Sequence, residues 1–270
     1  MHQKTKDIQK RYEGFLQTNC LWNDAIIFEL KQFKIDIKSS KINSKIDDKL
    51  RLGKYIERLV SHQLEQEKSI KIIAENIQIQ KEKRTLGELD CIIIKDDKPI
   101  HLEIVYKFYL YDDTIDTTEI EHFIGPNRKD SLVEKLTKLR EKQLPLLYSK
   151  ECKEYLKSIH LSSKNIKQQV YFKAQLFVPF SNQNIDLKVL NNYSVCGFYI
   201  NKKELEQFND CKFYIPNKKD WLVIPYQNVN WLNFEDFKLH SNTILERKFS
   251  PLCWLKLGKG EIKKIFLVWW

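Results

Sequence analysis

The clearest helical pattern in the chain is an apolar stripe within residues 49–67. Apolar side chains recur there every three or four residues and therefore share one face of a helix. The members of this stripe are Leu52, Tyr55, Ile56, Leu59, Val60 and Leu64. Glu57 lies at the border of the stripe. The polar residues before the helix predict a loop, in which Asp47 or Asp48 caps the helix.

Strand-like patterns follow this helix. Residues 74–80 alternate between apolar and polar side chains. Residues 85–110 read TLGELDCIIIKDDKPIHLEIVYKFYL, with two apolar runs on either side of a polar turn. This arrangement is typical of a hairpin of two buried strands. The region therefore predicts three consecutive strands.

A second helical stripe lies within residues 125–144, and residues 170–180 form a long apolar run that predicts another strand. The predicted order of the central region is helix, three strands, helix and strand. Outside it the patterns predict shorter elements: a helix over 23–33, strands over 194–200 and 221–226, and a helix over 234–248.

Each strand of the predicted hairpin carries a carboxylate in its middle, Asp90 in the first and Glu103 in the second. A loop centred in the polar turn pairs Ile94 with Pro99, and this register puts Asp90 opposite Glu103. Directly opposed side chains lie about 5 Å apart, where like charges repel. Two ionised carboxylates in an apolar sheet are costly, so a compensating group is expected.

Three kinds of compensation are open: a divalent cation, a shared proton, or a lysine. Lys107 shares the face of Glu103 but lies about 13 Å further along the strand. A long lysine side chain leaning back toward the acids would still reach them. A buried salt-bridge network is the structural alternative, although such networks add little net stability.

The formal net charge of +10 favours polyanionic partners, of which nucleic acid is the commonest. Compositional bias toward lysine is the alternative explanation. The six cysteines lack the close spacing of a zinc site and suit a reducing compartment. No signal peptide and no membrane-spanning stretch are evident, so a cytoplasmic protein is expected.

The order of predicted elements, together with an acid in the middle strand and an acid followed by a lysine in the next, resembles the PD-(D/E)xK nuclease superfamily. More narrowly, the segments RLGKYIERL, GELD, HLEIVYKFYL and GPNRKD resemble a bacterial family of unknown function that is grouped with that superfamily. The likeness extends from about residue 10 to the closing FLVWW.

The resemblance implies a site that holds Mg²⁺, for which Mn²⁺ would substitute. Asp90 and Glu103 would be the two metal-binding acids, assisted by the backbone carbonyl of Ile104. Glu57 would be the acid that many members carry on the first helix. The implied reaction is hydrolysis of phosphodiester bonds in nucleic acid, with DNA as the favoured substrate.

The sequence departs from the superfamily pattern at two positions. Leu89 stands where the pattern has proline, which contributes no ligand. Val105 stands where the pattern has lysine, and the role of that lysine passes to Lys107, on the same face. This displacement favours the alternative of a catalytically inactive module that binds nucleic acid or a protein partner.

Two further polar residues are candidates for contacts to the substrate or the acids. Gln143 continues the second helical stripe where an apolar residue is expected, and His101 shares the face of the acids. Their structural alternatives are a helix end and a core histidine. The predicted fold is α/β, a restriction-endonuclease-like core with a mixed central sheet flanked by helices. Its predicted parts are a helical extension over 1–48, the core over 49–190 and an α+β extension over 191–270. A homo-oligomer is expected by analogy.

Overall fold

The computed structural model of the chain describes residues 3–36, 39–115 and 117–270. The fold is mixed α/β, and helices flank a large sheet that contains parallel and antiparallel strand pairs. The helices are α1 (Gln3–Gln17), α2 (Leu52–Glu65), α3 (Leu132–Lys138), α4 (Lys150–Ser158) and α5 (Phe234–Glu246). The strands are β1 (Ile26–Ile27), β2 (Leu30–Lys31), β3 (Ile70–Lys81), β4 (Arg84–Lys95), β5 (Lys98–Tyr111), β6 (Phe123–Ile124), β7 (Lys167–Pro179), β8 (Val195–Asn201), β9 (Lys212–Tyr214), β10 (Leu252–Lys256) and β11 (Ile262–Val268).

The chain divides into two compact units. Unit A comprises residues 20–106 and 134–173, and unit B comprises the residues up to 19 together with 107–133 and 174–270. Strands β5 and β7 each run from one unit into the other. The three-part domain division expected from the sequence stays a prediction.

The sheet of unit A has the strand order β3-β4-β5-β7 and contains the predicted three-strand meander. Strand β4 pairs antiparallel with both β3 and β5. Ile94 pairs with Pro99, which confirms the register expected from the polar turn. The two residues of that turn, Asp96 and Asp97, have φ angles of 48° and 59°. Positive φ at both positions is typical of the tight turn that connects twisted strands.

Unit A buries an apolar core between its sheet and helix α4. The core residues come from β3, β4, α4 and their connections: Ile77, Ile79, Leu89, Ile92, Leu147, Cys152, Leu156 and Ile166. Ser149 caps α4, because its side chain accepts a hydrogen bond from the Cys152 amide. This core fixes the strands that carry the predicted acids.

Strand β8 forms two parallel pairs in unit B. Strand β8 lies between β7 and β11 and is parallel to both, whereas β10 is antiparallel to β11 and β9. Helix α5 packs on β9, where the rings of Phe213 and Phe237 stack with centroids 4.1 Å apart. The buried cluster around these rings includes Phe198, Ile200, Leu255, Ile265 and Leu267.

Two sequence predictions near the N-terminus are wrong. The predicted helix over residues 23–33 is instead the short hairpin β1–β2, in which Phe28 and Glu29 have positive φ angles of 51° and 63°. Helix α2 begins at Leu52, and its N-cap residue Arg51 makes no side-chain cap. Asp47 accepts instead from the Lys49 amide in a turn before the helix.

Two further departures lie later in the chain. The predicted strand over 221–226 is absent, and a 3-10 turn covers Lys218–Leu222. Helix α3 ends at Lys138 and continues as a π-helical turn over Leu139–Gln143 and a 3-10 turn over Leu144–Tyr148. The second residue of that last turn is a proline, which has no amide hydrogen for a continuing α-helix. In the described part of the chain, no helix has both the length and the apolar character needed to cross a membrane.

Candidate acidic site of unit A

Three carboxylates converge between helix α2 and strand β4. One carboxylate oxygen each from Glu57, Glu88 and Asp90 lies within 4.8 Å of the others. Glu88 and Asp90 are two residues apart on β4 and therefore point to the same face. Glu57 comes from the buried face of α2 and is itself only 9% exposed. Three acids so close together are favourable only beside a cation or when protonated.

The ammonium of Lys54 supplies one cation to this cluster. Its Nζ donates to Glu57 Oε2 at 2.9 Å and to Asn76 Oδ1 at 2.6 Å, and it also contacts Glu88 Oε1. Desolvation lowers the pKa of Lys54, but the hydrogen bonds to Glu88 and Glu57 outweigh it and the pKa is raised. The lysine therefore stays charged.

Asn76 has an unusual backbone conformation at this site, with a φ angle of 54°. The ladder pairs Glu75 with Cys91 and Ile77 with Leu89, so Asn76 lies opposite Asp90. Asparagine tolerates the left-handed region better than most residues, yet the conformation still costs free energy. Strained backbone conformations are concentrated at functional sites. In this conformation the side-chain oxygen of Asn76 accepts a hydrogen bond from Lys54.

Asp90 has the most strongly shifted carboxyl pKa of the cluster, raised to about 7. Burial is the main cause, and the negative charges of Glu103 and Glu57 add to it. The Ile104 amide opposes the rise, because it donates to Asp90 Oδ2 at 2.9 Å. Burial also raises the pKa of Glu57, against the lowering effect of Lys54. Asp90 is therefore poised between its acid and its base form near neutral pH.

Glu103 is completely buried and both of its oxygens accept hydrogen bonds. His101 Nε2 lies 3.0 Å from Oε1, and Gln143 Nε2 donates to Oε2 at 2.6 Å. The chain continues outward, because Lys135 Nζ donates to Gln143 Oε1 at 2.7 Å. Gln168 Nε2 lies 3.0 Å from His101 Nδ1, which makes Nδ1 the acceptor and leaves the proton on Nε2 for Glu103.

The structure brings only some of the predicted residues together. Glu57 and Asp90 converge as expected from the resemblance, but the third member of their cluster is Glu88 rather than Glu103. Lys107, the predicted replacement for the displaced lysine, donates to Asp130 Oδ2 at 2.6 Å, and both residues belong to unit B. The roles of Lys107 and of the Ile104 carbonyl stay predictions.

Sequence reasoning missed several residues of the site. Spacing could have identified two of them, since Glu88 lies two residues before Asp90 on a strand and Lys54 lies one helical turn before Glu57. Asn76 carries no such signal, because only the folded chain brings it to the acids. Lys135 flanks the second helical stripe, a position that suits either a phosphate contact or a solvated surface, and the fold brings it to Gln143.

Comparison with known protein families identifies one match. The family described as Domain of unknown function (DUF1853) matches residues 24–268. The chain belongs to this family. Every residue of the acidic site lies within the DUF1853 match, and so do β5 and the hydrogen-bonded chain from Lys135 to Gln168. No curated protein and no solved structure matches the chain.

In metal-free protein, replacing Asp90 by Asn is expected to stabilise the DUF1853 fold by roughly 3–4 kcal/mol near neutral pH. The folded-state pKa of about 7 exceeds the ordinary value of 3.8. Between these values the folded state binds more protons than the unfolded state, so this group makes stability fall as the pH rises through that window. Asparagine cannot ionise, so the variant does not lose stability in this way.

Urea unfolding in the presence of a chelator at about pH 4, 6 and 8 measures this effect. The advantage of the variant should be small at the lowest pH and largest at the highest, where both states of the wild type are ionised. Asp97→Asn, in the exposed turn of the same hairpin, is the matched control. An advantage of Asp90→Asn that does not change with pH would contradict the assignment.

Proposed function

We propose that this protein is a metal-dependent nuclease that hydrolyses phosphodiester bonds in nucleic acid, with DNA as the favoured substrate. The observation that supports the proposal most is the convergence of Glu57, Glu88 and Asp90 within 4.8 Å. Carboxylate oxygens are the ligands that Mg²⁺ and Mn²⁺ prefer. The formal net charge of +10 favours a polyanionic substrate.

The residues present fit a divalent cation. Like-charge repulsion and burial raise the pKa of Asp90 to about 7, and both penalties are relieved when a cation replaces the proton. Glu57, Glu88 and Asp90 would hold the ion. A bound Mg²⁺ supplies positive charge to a phosphate oxygen and lowers the pKa of its water.

Neighbouring residues orient Asp90 and Glu103. The Ile104 amide holds one oxygen of Asp90, and the paired His101 and Gln143 hold Glu103 in a single orientation. Lys135 provides a second positive charge, since it donates to Gln143 and opposes the rise of the Asp90 pKa. We assign it to attraction of substrate phosphate.

The order α2, β3, β4, β5, α3, β7 supports a restriction-endonuclease-like core as part of this proposal. In that reading the acids of β4 and β5 occupy the positions that the superfamily pattern gives to its two metal-binding residues. The antiparallel register of β4 and β5 is observed as far as the pair Cys91–Leu102. Extending it by one pair puts Asp90 opposite Glu103, which agrees with that assignment.

Calorimetric titration of Mg²⁺ and Mn²⁺, followed by incubation with nucleic acid, tests the proposal. Supercoiled plasmid, linear duplex, single-stranded DNA and RNA are offered separately with Mn²⁺, and products are resolved by electrophoresis. Saturable metal binding with cleavage of at least one substrate is the expected result. If neither ion binds, the proposal fails.

One observation favours a second candidate function, a catalytically inactive module that binds nucleic acid or a protein partner. Lys54 Nζ already contacts Glu57 and Glu88 and neutralises part of the acidic cluster. An internal ammonium can stabilise such a cluster without an ion. Nucleic-acid binding with no cleavage, at saturating Mn²⁺, would support this second function.

Lys54→Met separates the two functions. If a metal ion competes with the ammonium, removing the ammonium is expected to strengthen Mn²⁺ binding about tenfold, or about 1.4 kcal/mol. The metal-free variant should be less stable than wild type, because three carboxylates then repel without compensation. Calorimetric titration measures the affinity, and Lys81→Met on the exposed end of β3 is the control. Unchanged or weaker Mn²⁺ binding would favour the inactive module.

A further inference from the structure

Unit B contains a cavity of about 470 Å³. It lies among the end of α1, strands β7, β8 and β11, and the residues after the 3-10 turn that ends at Leu222. Its polar lining includes Gln17, Gln175, Cys196 and Lys264, and its apolar lining includes Leu222 and Ile224. The volume is within the range of about 300–1,000 Å³ that small-molecule sites occupy. None of the acids of unit A belongs to it.

Lys264 is the unusual member of this lining. The residue is 8% exposed, and its Nζ donates to Gln175 Oε1 at 3.0 Å and to the Trp221 carbonyl at 2.7 Å. An ammonium has three donors, so one remains for another acceptor. Within the described parts of the chain, no carboxylate pairs with Lys264. Its charge is therefore buried against neutral oxygens.

Strand pairing holds Lys264 in this position. It lies in β11, between β8 and β10, and is paired with Gly197 on one side and Trp254 on the other. A lysine at the end of a surface strand can extend its ammonium into water, but this one is fixed in an inner strand. Burial accordingly lowers the pKa of Lys264 to about 8, and the neighbouring Cys196 opposes that shift.

A buried cation without a counter-charge is costly, and a bound anion removes the cost. We propose that this cavity binds a small organic anion. The carboxylate or phosphate group of the ligand accepts a hydrogen bond from Lys264 Nζ, and its apolar part contacts Leu222 and Ile224. The binding site is independent of the acidic site of unit A and of nuclease activity.

The chemistry of the lining selects this class of ligand. A metal cation is disfavoured by the lysine, and a purely apolar molecule would leave its third donor unsatisfied. Gln17 and Gln175 line the same cavity and add polar character that suits a head group. The apolar wall disfavours a bare inorganic ion and favours a ligand with a hydrocarbon or aromatic body.

Titration of the full chain with chosen probes tests the proposal. The probes are octanoate, phenyl phosphate, inorganic phosphate and the neutral octanamide, each followed by calorimetry and by thermal shift. Octanoate or phenyl phosphate is expected to bind, and Lys264→Met is expected to weaken that binding about tenfold or more. Lys259→Met, exposed in the β10–β11 turn, should bind as wild type does. Tighter binding of one organic anion tells a carboxylate ligand from a phosphate ligand.

Alkylation of Cys196 in the wild type gives a second test that does not depend on folding of a variant. Cys196 is exposed and lines the cavity, so a bound anion should slow its modification by iodoacetamide, measured on its peptide by mass spectrometry. Protection by octanoate or phenyl phosphate but not by octanamide supports the proposal. Absence of binding by both organic anions, or equal binding to Lys264→Met, would overturn it.

Discussion

Asp90→Asn is expected to reduce the rate of metal-dependent DNA cleavage by more than about 100-fold. Loss of a residue that merely supports a metal ligand already costs about 10–100-fold, and Asp90 is proposed as a ligand itself. Asparagine keeps the size of the side chain and can still accept the hydrogen bond from the Ile104 amide. It removes the negative charge that a cation needs.

Initial rates of plasmid cleavage at saturating Mn²⁺ measure this effect. Asp97→Asn is the matched control, because Asp97 is exposed in the same hairpin and its φ of 59° suits asparagine. Urea unfolding verifies that both variants are folded. Cleavage by Asp90→Asn at the wild-type rate would show that the activity does not depend on this carboxylate.

Gly197→Ala is expected to destabilise the folded protein by about 3 kcal/mol. A Cβ atom at this position would lie 2.0 Å from the Lys264 carbonyl oxygen and 3.0 Å from its carbon. Both atoms belong to the backbone of the neighbouring parallel strand β11, so no side-chain rotation relieves the overlap. The strands must separate or distort, and the paired residues of β8 and β11 lose hydrogen bonds.

Chemical and thermal unfolding measure the loss, and Gly53→Ala is its control. A Cβ atom at Gly53 meets nothing within 4 Å, so alanine fits there without a clash. Because it lies in helix α2, alanine should stabilise the protein by about 0.5–1 kcal/mol. Equal effects of the two substitutions would contradict the packing described for Gly197.

Sequence patterns predicted the elements that depend on hydrophobic periodicity and turn geometry. The apolar stripe of α2 and the meander β3–β4–β5 follow from periodicity alone. The polar pair Asp96–Asp97 fixes the register of the hairpin, because a two-residue turn leaves one alignment of the pleats. The observed pairs run from Lys95–Lys98 to Cys91–Leu102, and one further step of the same alignment would put Asp90 opposite Glu103.

The rest depends on contacts between distant residues. Residues 23–33 have helical spacing, but positive φ at Phe28 and Glu29 turns the chain into a hairpin. Gln143 reaches Glu103 from a π-helical turn, whose extra residue rotates the side chains that follow it. No periodicity indicates that turn.

Lys107 illustrates the same limit for the candidate site. Its position on the strand suggested the acids as its partners, whereas its ammonium donates to Asp130, which follows in a loop. A long lysine side chain can pair with any of several carboxylates. The tertiary structure determines which carboxylate lies within hydrogen-bonding distance. The three partners of Lys54 are hidden from sequence reasoning for the same reason.

The chain of hydrogen bonds from Lys135 through Gln143 and Glu103 to His101 and Gln168 joins three separate stretches of sequence. Each residue within this chain has a fixed role as hydrogen-bond donor or acceptor toward each neighbour. A substitution at one position therefore removes or reverses the hydrogen bond to the next residue. These positions are therefore expected to evolve together. In other members of the family, exchange of Gln143 should coincide with exchange of Lys135 or Gln168, and covariation among these columns would reveal it.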